Sequence, residues 1–493
     1  MPTTKHRFLT SVLYYTAAPF LRNALTFLTL PVLTRHLLPE DYGTINLITA
    51  VSMFGTILVA GVTNSSGRFY FKYKDKDDLL GSMLFSNLLF MILSSLLYIF
   101  FLTVLFGLIN NQVFHGNMSL SWLMVAAAQY LLIYINSTNQ TLLQNMHESR
   151  GWFANEAAAT ISYVLLSLGL VISTDLTWQA LLIAGVASET LKACVSFTRV
   201  RHIYRRVFSW GLLKESLLYC WPQIPSSILA FFYQYFDKFA MNRFKGMQQV
   251  GILDMSNRFG LILKMAMDGI GGALSPVTMD LLTANTGEAR GKLAELQLKV
   301  IAVVLMLGLG LILISKELIM LLTVPAYYEA IRVIPLYIYY HVFGALGMIS
   351  YWLIYHNPAK TFYQIPINAF GLLLSTAANI VLIPRFGLMG AAFAMFLSMG
   401  ILQFAQLVIG FRLTPLPLDK RKTAVLFTLM FAETGFLYYI YGLNMSHIGE
   451  IIIKSVMFSL FPAACVLMRI IEKKDLSFAY NLAADKFNRQ ISS

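Results

Sequence analysis

The chain is short of charge. Of its 493 residues only 12% are charged, while 57% are hydrophobic, against about 25% charged in a soluble protein. That balance excludes a soluble globular enzyme or binding module. Cysteine is nearly absent: Cys194, Cys220 and Cys465 lie in or beside apolar segments without metal-ligand spacing, which excludes a disulfide framework or a cysteine metal centre. The sequence also lacks a Walker loop, His-Glu-x-x-His, Gly-x-Ser-x-Gly and any Cys-x-x-Cys pair. Nucleotide hydrolysis, zinc peptidase, serine hydrolase and dithiol chemistry therefore have no local signature. Any transport is then facilitated or driven by an ion gradient, with H+ or Na+ as the candidate coupling ion and no bound cofactor.

What the chain does have is long apolar runs of 18 to 25 residues, enough to cross a hydrocarbon core of about 30 Å as helices. Fourteen such spans are expected, at about 10–34, 43–66, 79–108, 120–143, 155–174, 178–198, 216–242, 249–276, 297–322, 330–353, 362–383, 388–411, 423–442 and 448–469. The first apolar run is too long for a cleaved signal peptide, so it is read as a retained span. The net charge of +13 is read as topology rather than nucleic-acid binding. With the N-terminus placed in the cytoplasm, 25 Lys and Arg fall on that side and 5 on the other, which puts both termini inside. The fold class expected is an all-α polytopic membrane protein with fourteen transmembrane helices.

A weak internal repeat runs through this map. Arg35 and Gly43 between the first two spans recur as Arg243 and Gly251 between the seventh and eighth, an offset of 208 residues, and Asn46 and Asp254 match at the same offset. The organisation expected is a six-helix lobe over 1–198, a basic connector 199–215, a second six-helix lobe over 216–411, and two further helices with a cytoplasmic tail over 412–493. Repeats with a site at their interface are a recurring transporter plan.

Charges inside apolar spans are costly, about 2.5–3.5 kcal/mol at the bilayer centre, and mark functional positions. The eighth span carries four. At 100° per residue Arg258 lies about 40° from Asp254, Asp268 about −40° and Lys264 about −80°, a single stripe. Asp254–Arg258 and Lys264–Asp268 are also i, i+4 pairs, so the stripe is either self-neutralised or the lining of a hydrated cavity. Arg22, beside Asn23 in the middle of the first span, has no adjacent acid. Asp237 and Lys238 read equally as an interfacial pair or a site. The fourth span is rich in amides and hydroxyls, among them Tyr134, Asn136, Asn139 and Gln140, and the seventh, tenth and eleventh add Gln223, Gln234, Tyr337, Tyr339, Tyr340, His341, Gln364 and Asn368. Interhelical hydrogen bonding accounts for part of this set; the rest suits a polyhydroxylated ligand. His341 reads as structural before it reads as a proton carrier.

Three stretches resemble the polysaccharide-repeat-unit flippases of the MATE-like superfamily, the Wzx or polysaccharide transporter type. They are LRNALTFLTLPVLTRHLLPEDYGTINL at 21–47, FDKFAMNRFKGMQQVGILDMSNRFG at 236–260 and IPRFGLMGAAFA at 383–394. Lys238 and Leu253 depart from that family's more usual Arg and Tyr. The resemblance implies two pseudo-symmetric six-helix lobes in a V, two C-terminal helices, and a cationic cavity for an undecaprenyl-pyrophosphate-linked oligosaccharide. The cargo would move to the periplasmic leaflet of the bacterial inner membrane by alternating access, serving O-antigen or exopolysaccharide synthesis beside polymerase and chain-length proteins. Arg22, Asn23, Arg258, Lys264, Tyr134, Gln140 and Gln234 are then the candidate substrate-binding residues. Asp254, Asp268 and Glu189 are the candidate ion-coupling acids. A MATE-type exporter shares the architecture but is expected to place acids in the cavity for organic cations. A membrane glycosyltransferase of the same pathway usually needs a large external loop, and the longest external segment here is about 107–119.

Overall fold

The computed structural model describes residues 4–221, 224–284, 286–355, 363–443 and 446–470. Gln223 and the expected cytoplasmic tail from 471 onward lie outside them. The described residues form α-helices and no strand. In order these are α1 (Thr4–His36), α2 (Pro39–Phe54), α3 (Ile57–Tyr73), α4 (Asp77–Val104), α5 (Phe106–Val113), α6 (Leu120–Asn145), α7 (Ser149–Ser173) and α8 (Trp178–Val200). There follow α9 (Trp210–Cys220), α10 (Ile224–Lys245), α11 (Met247–Ala284), α12 (Gly287–Leu322), α13 (Ile334–Tyr355), α14 (Gln364–Leu413), α15 (Lys420–Tyr441) and α16 (His447–Leu467). Among them α4, α6, α7, α8, α12, α14, α15 and α16 are each long and apolar enough to cross a membrane. The chain is a multi-pass membrane protein.

The second expected span is broken rather than continuous: α2 and α3 are bent by 62°. The cause comes from a distant helix. The Tyr98 hydroxyl of α4 donates to the Val51 carbonyl, which a continuing helix would give to the Gly55 amide. Its ring fills the space beside Gly55, where a Cβ would lie 2.2 Å from the ring carbons, and Thr56 Oγ1 takes the Met53 carbonyl at 2.7 Å. Side-chain capture of helix carbonyls is a recognised source of sharp kinks. α14 holds two expected spans in one run, divided at Gly387 after Pro384. There φ is +55° and ψ −128°, a conformation reserved for glycine.

The described residues sort into two compact units. Unit 1 lies within Met1–Met255, Met320–Glu329 and Leu372–Ala391, and unit 2 within Ser256–Ile319, Ala330–Gly371 and Ala392–Ser493.

In unit 1 the Pro-Glu-Asp-Tyr-Gly run of residues 39–43 starts α2. Pro39 occupies the first turn, where its missing N–H costs nothing, and Asp41 Oδ2 accepts from the Leu38 amide at 2.9 Å. Tyr42 packs edge-on to Tyr327, with ring centroids 5.9 Å apart, and the Tyr327 hydroxyl donates to Leu37 O at 2.9 Å. Gly43 meets the backbone of Met247, and Gly251 meets the backbone of Pro39: a Cβ on the first would lie 2.0 Å from the Met247 oxygen, and one on the second 1.7 Å from the Pro39 oxygen. Residues 39 and 43 are thus exchanged for 247 and 251 at the 208-residue offset, and each glycine lets the starts of α2 and α11 touch backbone to backbone. The third resembling stretch reaches the same region, with the Lys245 stem against Gly387.

In unit 2 the core is α12, whose Leu305, Leu309 and Ile312 are fully buried. Lys316 and Lys454 both reach Glu450, at 2.7 Å and 2.8 Å, and Lys454 also reaches Glu317 at 2.6 Å. This buried cluster ties α16 to α12, and the Tyr441 ring lies under both ammonium groups at 4.9 Å and 5.0 Å. Glu450→Gln keeps the volume and removes the shared anion, and is expected to cost about 1.5–3 kcal/mol. A lowered melting temperature of the purified protein in detergent checks it, and an unchanged one would count against the cluster as a fastening.

Candidate functional site

α11 carries all four charges of the expected stripe. Asp254 is half-buried in unit 1, and Arg258 is half-buried in unit 2. Lys264 and Asp268 are both exposed and joined by an ion pair of 2.6 Å. An exposed i, i+4 pair contributes only about 0–1 kcal/mol, so its partners are free to exchange for a ligand's charges. Of the four charges Asp268 also lines a cavity, so pairing accounts for Lys264 and Asp268 while Asp268 stands at a cavity as well.

That cavity has a volume of about 490 Å³ and lies wholly within unit 2, between α11, α13 and α14. Its polar lining is Asp268, Asn368, Gln403 and Gln406, and Trp352 supplies an aromatic wall. Gly271, Gly344 and Gly347 also line it. A Cβ at Gly347 would lie 1.7 Å from Gln403 Oε1, so the missing side chain is what leaves room for the amide. Gln403 Oε1 is buried without a hydrogen-bond partner, while its Nε2 reaches only the Met399 sulfur at 3.4 Å. A buried carbonyl oxygen left unsatisfied costs about 1–3 kcal/mol until water or a ligand donates to it. Amides converging on an aromatic wall are the lining that sugar hydroxyls require.

Of these lining residues the sequence reading named Asp268 and Asn368 and missed Trp352, Gln403 and Gln406. The two glutamines stand three apart on an otherwise apolar span. That i, i+3 spacing puts them on one face and was the available signal.

Unit 1 holds the remaining candidates. Arg22 is exposed on α1 and makes no ion pair among the described residues; Asn23 beside it is half-buried. Tyr134 is half-buried, and Gln234 is exposed, its main-chain oxygen 3.4 Å from Lys238 Nζ. Asn136 Nδ2 donates to Glu189 Oε2 at 2.7 Å. From there bonds run through Ser196 to Asn139 and on to the Tyr204 hydroxyl, the last at 3.0 Å. Asn136 and Asn139 are thereby committed to holding helices together. Gln140 is not: it is 6% exposed, and neither amide atom has a partner. Asp237 and Lys238 are both buried. Lys238 lies over the Tyr235 ring at 4.9 Å, and Asp237 accepts the Lys238 amide at 2.9 Å. Two further residues of the polar set are engaged within unit 2, and for His341 this agrees with its structural reading. Tyr339 bonds to Thr434 at 2.7 Å and stacks on Phe431. His341 faces Asn257 at 3.3 Å with Gly260 packed on its ring. No group of His, Cys, Asp or Glu among the described residues could hold a metal ion.

Residues 8–282 match the family described as polysaccharide biosynthesis protein. The chain belongs to that family. Comparison with curated proteins finds no sequence match for this polysaccharide biosynthesis protein. Among solved structures it is similar to the lipid II flippase MurJ in an inward closed conformation, with a TM-score of 0.69 and 15% identity, over 93% of this chain and 99% of that one. It is also similar to a multidrug resistance MATE family transporter of the MOP superfamily. The inward-facing conformation of that transporter gives a TM-score of 0.66 at 12% identity, over 80% of this chain and 94% of that one. Its outward-facing conformation gives 0.54 at 14%, over 82% and 95%. Identities this low establish a shared fold and nothing finer.

Proposed function

We propose that this polysaccharide biosynthesis protein flips undecaprenyl-pyrophosphate-linked oligosaccharide repeat units from the cytoplasmic to the periplasmic leaflet of the bacterial inner membrane. The observation that carries the reading is the unit 2 cavity, where Trp352, Asn368, Gln403 and Gln406 of α13 and α14 offer sugar-binding chemistry beside α11, the helix that bears Arg258 and Lys264. Arginine supplies paired N–H donors suited to phosphate oxygens. Lys264 is freed for the cargo when Asp268 takes a coupling proton or Na+. Arg22 and Gln140 are the unit 1 residues proposed to meet cargo, with Asn23, Tyr134 and Gln234 as the remaining proposed contacts. Glu189 and Asp254 remain the other proposed coupling acids.

The proposed topology has fourteen crossings with both termini cytoplasmic: α2–α3 and α9–α10 each count as one broken span, and α14 counts as two. The reciprocal seating of Gly43 and Gly251 supports a duplication, and with it two six-helix lobes over 1–198 and 216–411, the connector 199–215 and the appended region 412–493. Polymerase and chain-length proteins of the same pathway are the proposed neighbours in the membrane.

Native mass spectrometry of the purified protein tests the cargo: a co-bound lipid-linked oligosaccharide is expected, and a small organic cation in its place would move the reading to a MATE-type exporter. Gln403→Leu separates binding from folding. It removes an orphaned oxygen, so stability is expected to hold or rise, while surface polysaccharide made in a flippase-deletion strain falls about tenfold for the loss of about 1.4 kcal/mol of binding. Parallel losses of stability and output would assign Gln403 to packing instead.

A further inference from the structure

A second polar cavity, of about 570 Å³, lies in unit 1 between α3 and α9, lined by Arg68, Phe69, Lys72, Glu215, Leu218 and Tyr219. Its charges are unevenly matched. Glu215 is occupied: Lys72 pairs with one carboxylate oxygen, and the Tyr73 hydroxyl donates to the other at 2.6 Å. Arg68 makes no ion pair among the described residues. Its guanidinium carbon lies over the Tyr219 ring, 4.6 Å from the centroid, and Phe69 packs edge-on against that same ring. A guanidinium held over a ring face by cation–π attraction keeps N–H donors for the oxygens of a phosphate.

The wall of this cavity continues onto an unusual helix face. Leu218 is 65% exposed, and Trp210, Lys214 and Trp221 are exposed with it, spaced so that all four share one side of α9. Large apolar side chains this bare, with tryptophan at both ends, face acyl chains and the headgroup layer rather than water. Arg201 and Arg206 in the preceding connector are exposed and make no ion pair among the described residues, so the field at this end of α9 is positive.

We propose that this cavity binds one anionic glycerophospholipid, with the phosphodiester on Arg68 and the acyl chains along the Leu218–Trp221 face. Charge complementarity selects an anionic lipid over a zwitterionic one, because Glu215, the one acid lining the cavity among the described residues, is already held by Lys72 and Tyr73. The proposal rests on the membrane placement of α9 and not on the nature of the cargo.

Native mass spectrometry of the full-length protein in detergent, titrated separately with dioleoylphosphatidylglycerol, dioleoylphosphatidylcholine and undecaprenyl pyrophosphate, tests it. Phosphatidylglycerol is expected to bind in preference to phosphatidylcholine. Arg68→Ala is expected to lower its occupancy about tenfold, and Arg68→Lys to recover only part. Undecaprenyl pyrophosphate binding should be untouched by either change. Equal phosphatidylglycerol occupancy in wild type and Arg68→Ala overturns the proposal. So does loss of undecaprenyl pyrophosphate alone, which would give Arg68 to the cargo. Should Arg68→Ala fail to fold, Lys214→Ala on the exposed face carries the same expectation of weakened phosphatidylglycerol binding, and its failure is equally decisive. A wild type that binds phosphatidylglycerol but no undecaprenyl pyrophosphate would leave this site standing and sink the flippase reading.

Discussion

Arg258→Ala is expected to bring surface polysaccharide in a flippase-deletion strain down to the level of the empty vector, with the protein present in the membrane at normal abundance. A guanidinium on a pyrophosphate makes charge-assisted bonds of about 1.5–3 kcal/mol each, so losing two removes about a hundredfold or more of cargo binding. Arg258→Lys keeps the charge and loses the planar fork, and should fall between. The half-buried setting of Arg258 matters to the size of the effect, since a partly desolvated cation is worth more to an anionic ligand than one in open water. Arg22→Ala in unit 1 is expected to reduce output as well. Full polysaccharide from the Arg22→Ala, Arg258→Ala double variant would end the pyrophosphate reading of both residues.

The second large effect is on folding. Gly251→Val and Gly43→Val each drive a side chain into the backbone of the other helix's first turn, at the 1.7 Å and 2.0 Å approaches described above. Backbone cannot swing aside as a flexible side chain can, so the cost is expected at or above the upper end of the roughly 1–3 kcal/mol of ordinary overpacking. Loss of the monodisperse peak in size-exclusion chromatography, together with a melting temperature lowered by several degrees (about 2–4 °C per kcal/mol in domains of 150–250 residues), checks it. The two substitutions disturb one crossing, so their combination should cost less than the sum of the separate effects. Normal behaviour of both single variants would show that the crossing can open without loss.

Elements set by local pattern were legible in the chain. The apolar runs fixed most helices, the separate spans at 362–383 and 388–411 anticipated the division of α14, and the i, i+4 spacing of Lys264 and Asp268 foretold their ion pair. What was not legible depended on partners far away in sequence. No residue near Gly55 announces a break; the break is made by Tyr98 from α4. Asp237 and Lys238 lie near a span end, where sequence leaves an interfacial pair and a site equally open, and only packing shows both buried with Lys238 over Tyr235. The i, i+3 spacing of Gln403 and Gln406 marks a polar face, but the room for the Gln403 amide comes from Gly347 on another helix, which no local pattern shows. The stretches that carried the family resemblance are largely architectural: Tyr42, Gly43, Gly251 and Gly387 are explained by turns and close approaches, whereas the cavity is lined by residues outside those stretches.

The reciprocal seating of residues 39 and 43 on 251 and 247 also acts as a ruler. Each arm is four residues long, one turn of helix plus a fraction, and the arms are measured against each other rather than against a neighbouring loop. A one-residue insertion in either arm would rotate its glycine by about 100° and present a side chain where backbone must pass. These two short arms should therefore hold their length among relatives in which the connector and the tail vary freely, and a shortening of one should be met only by the same shortening of the other.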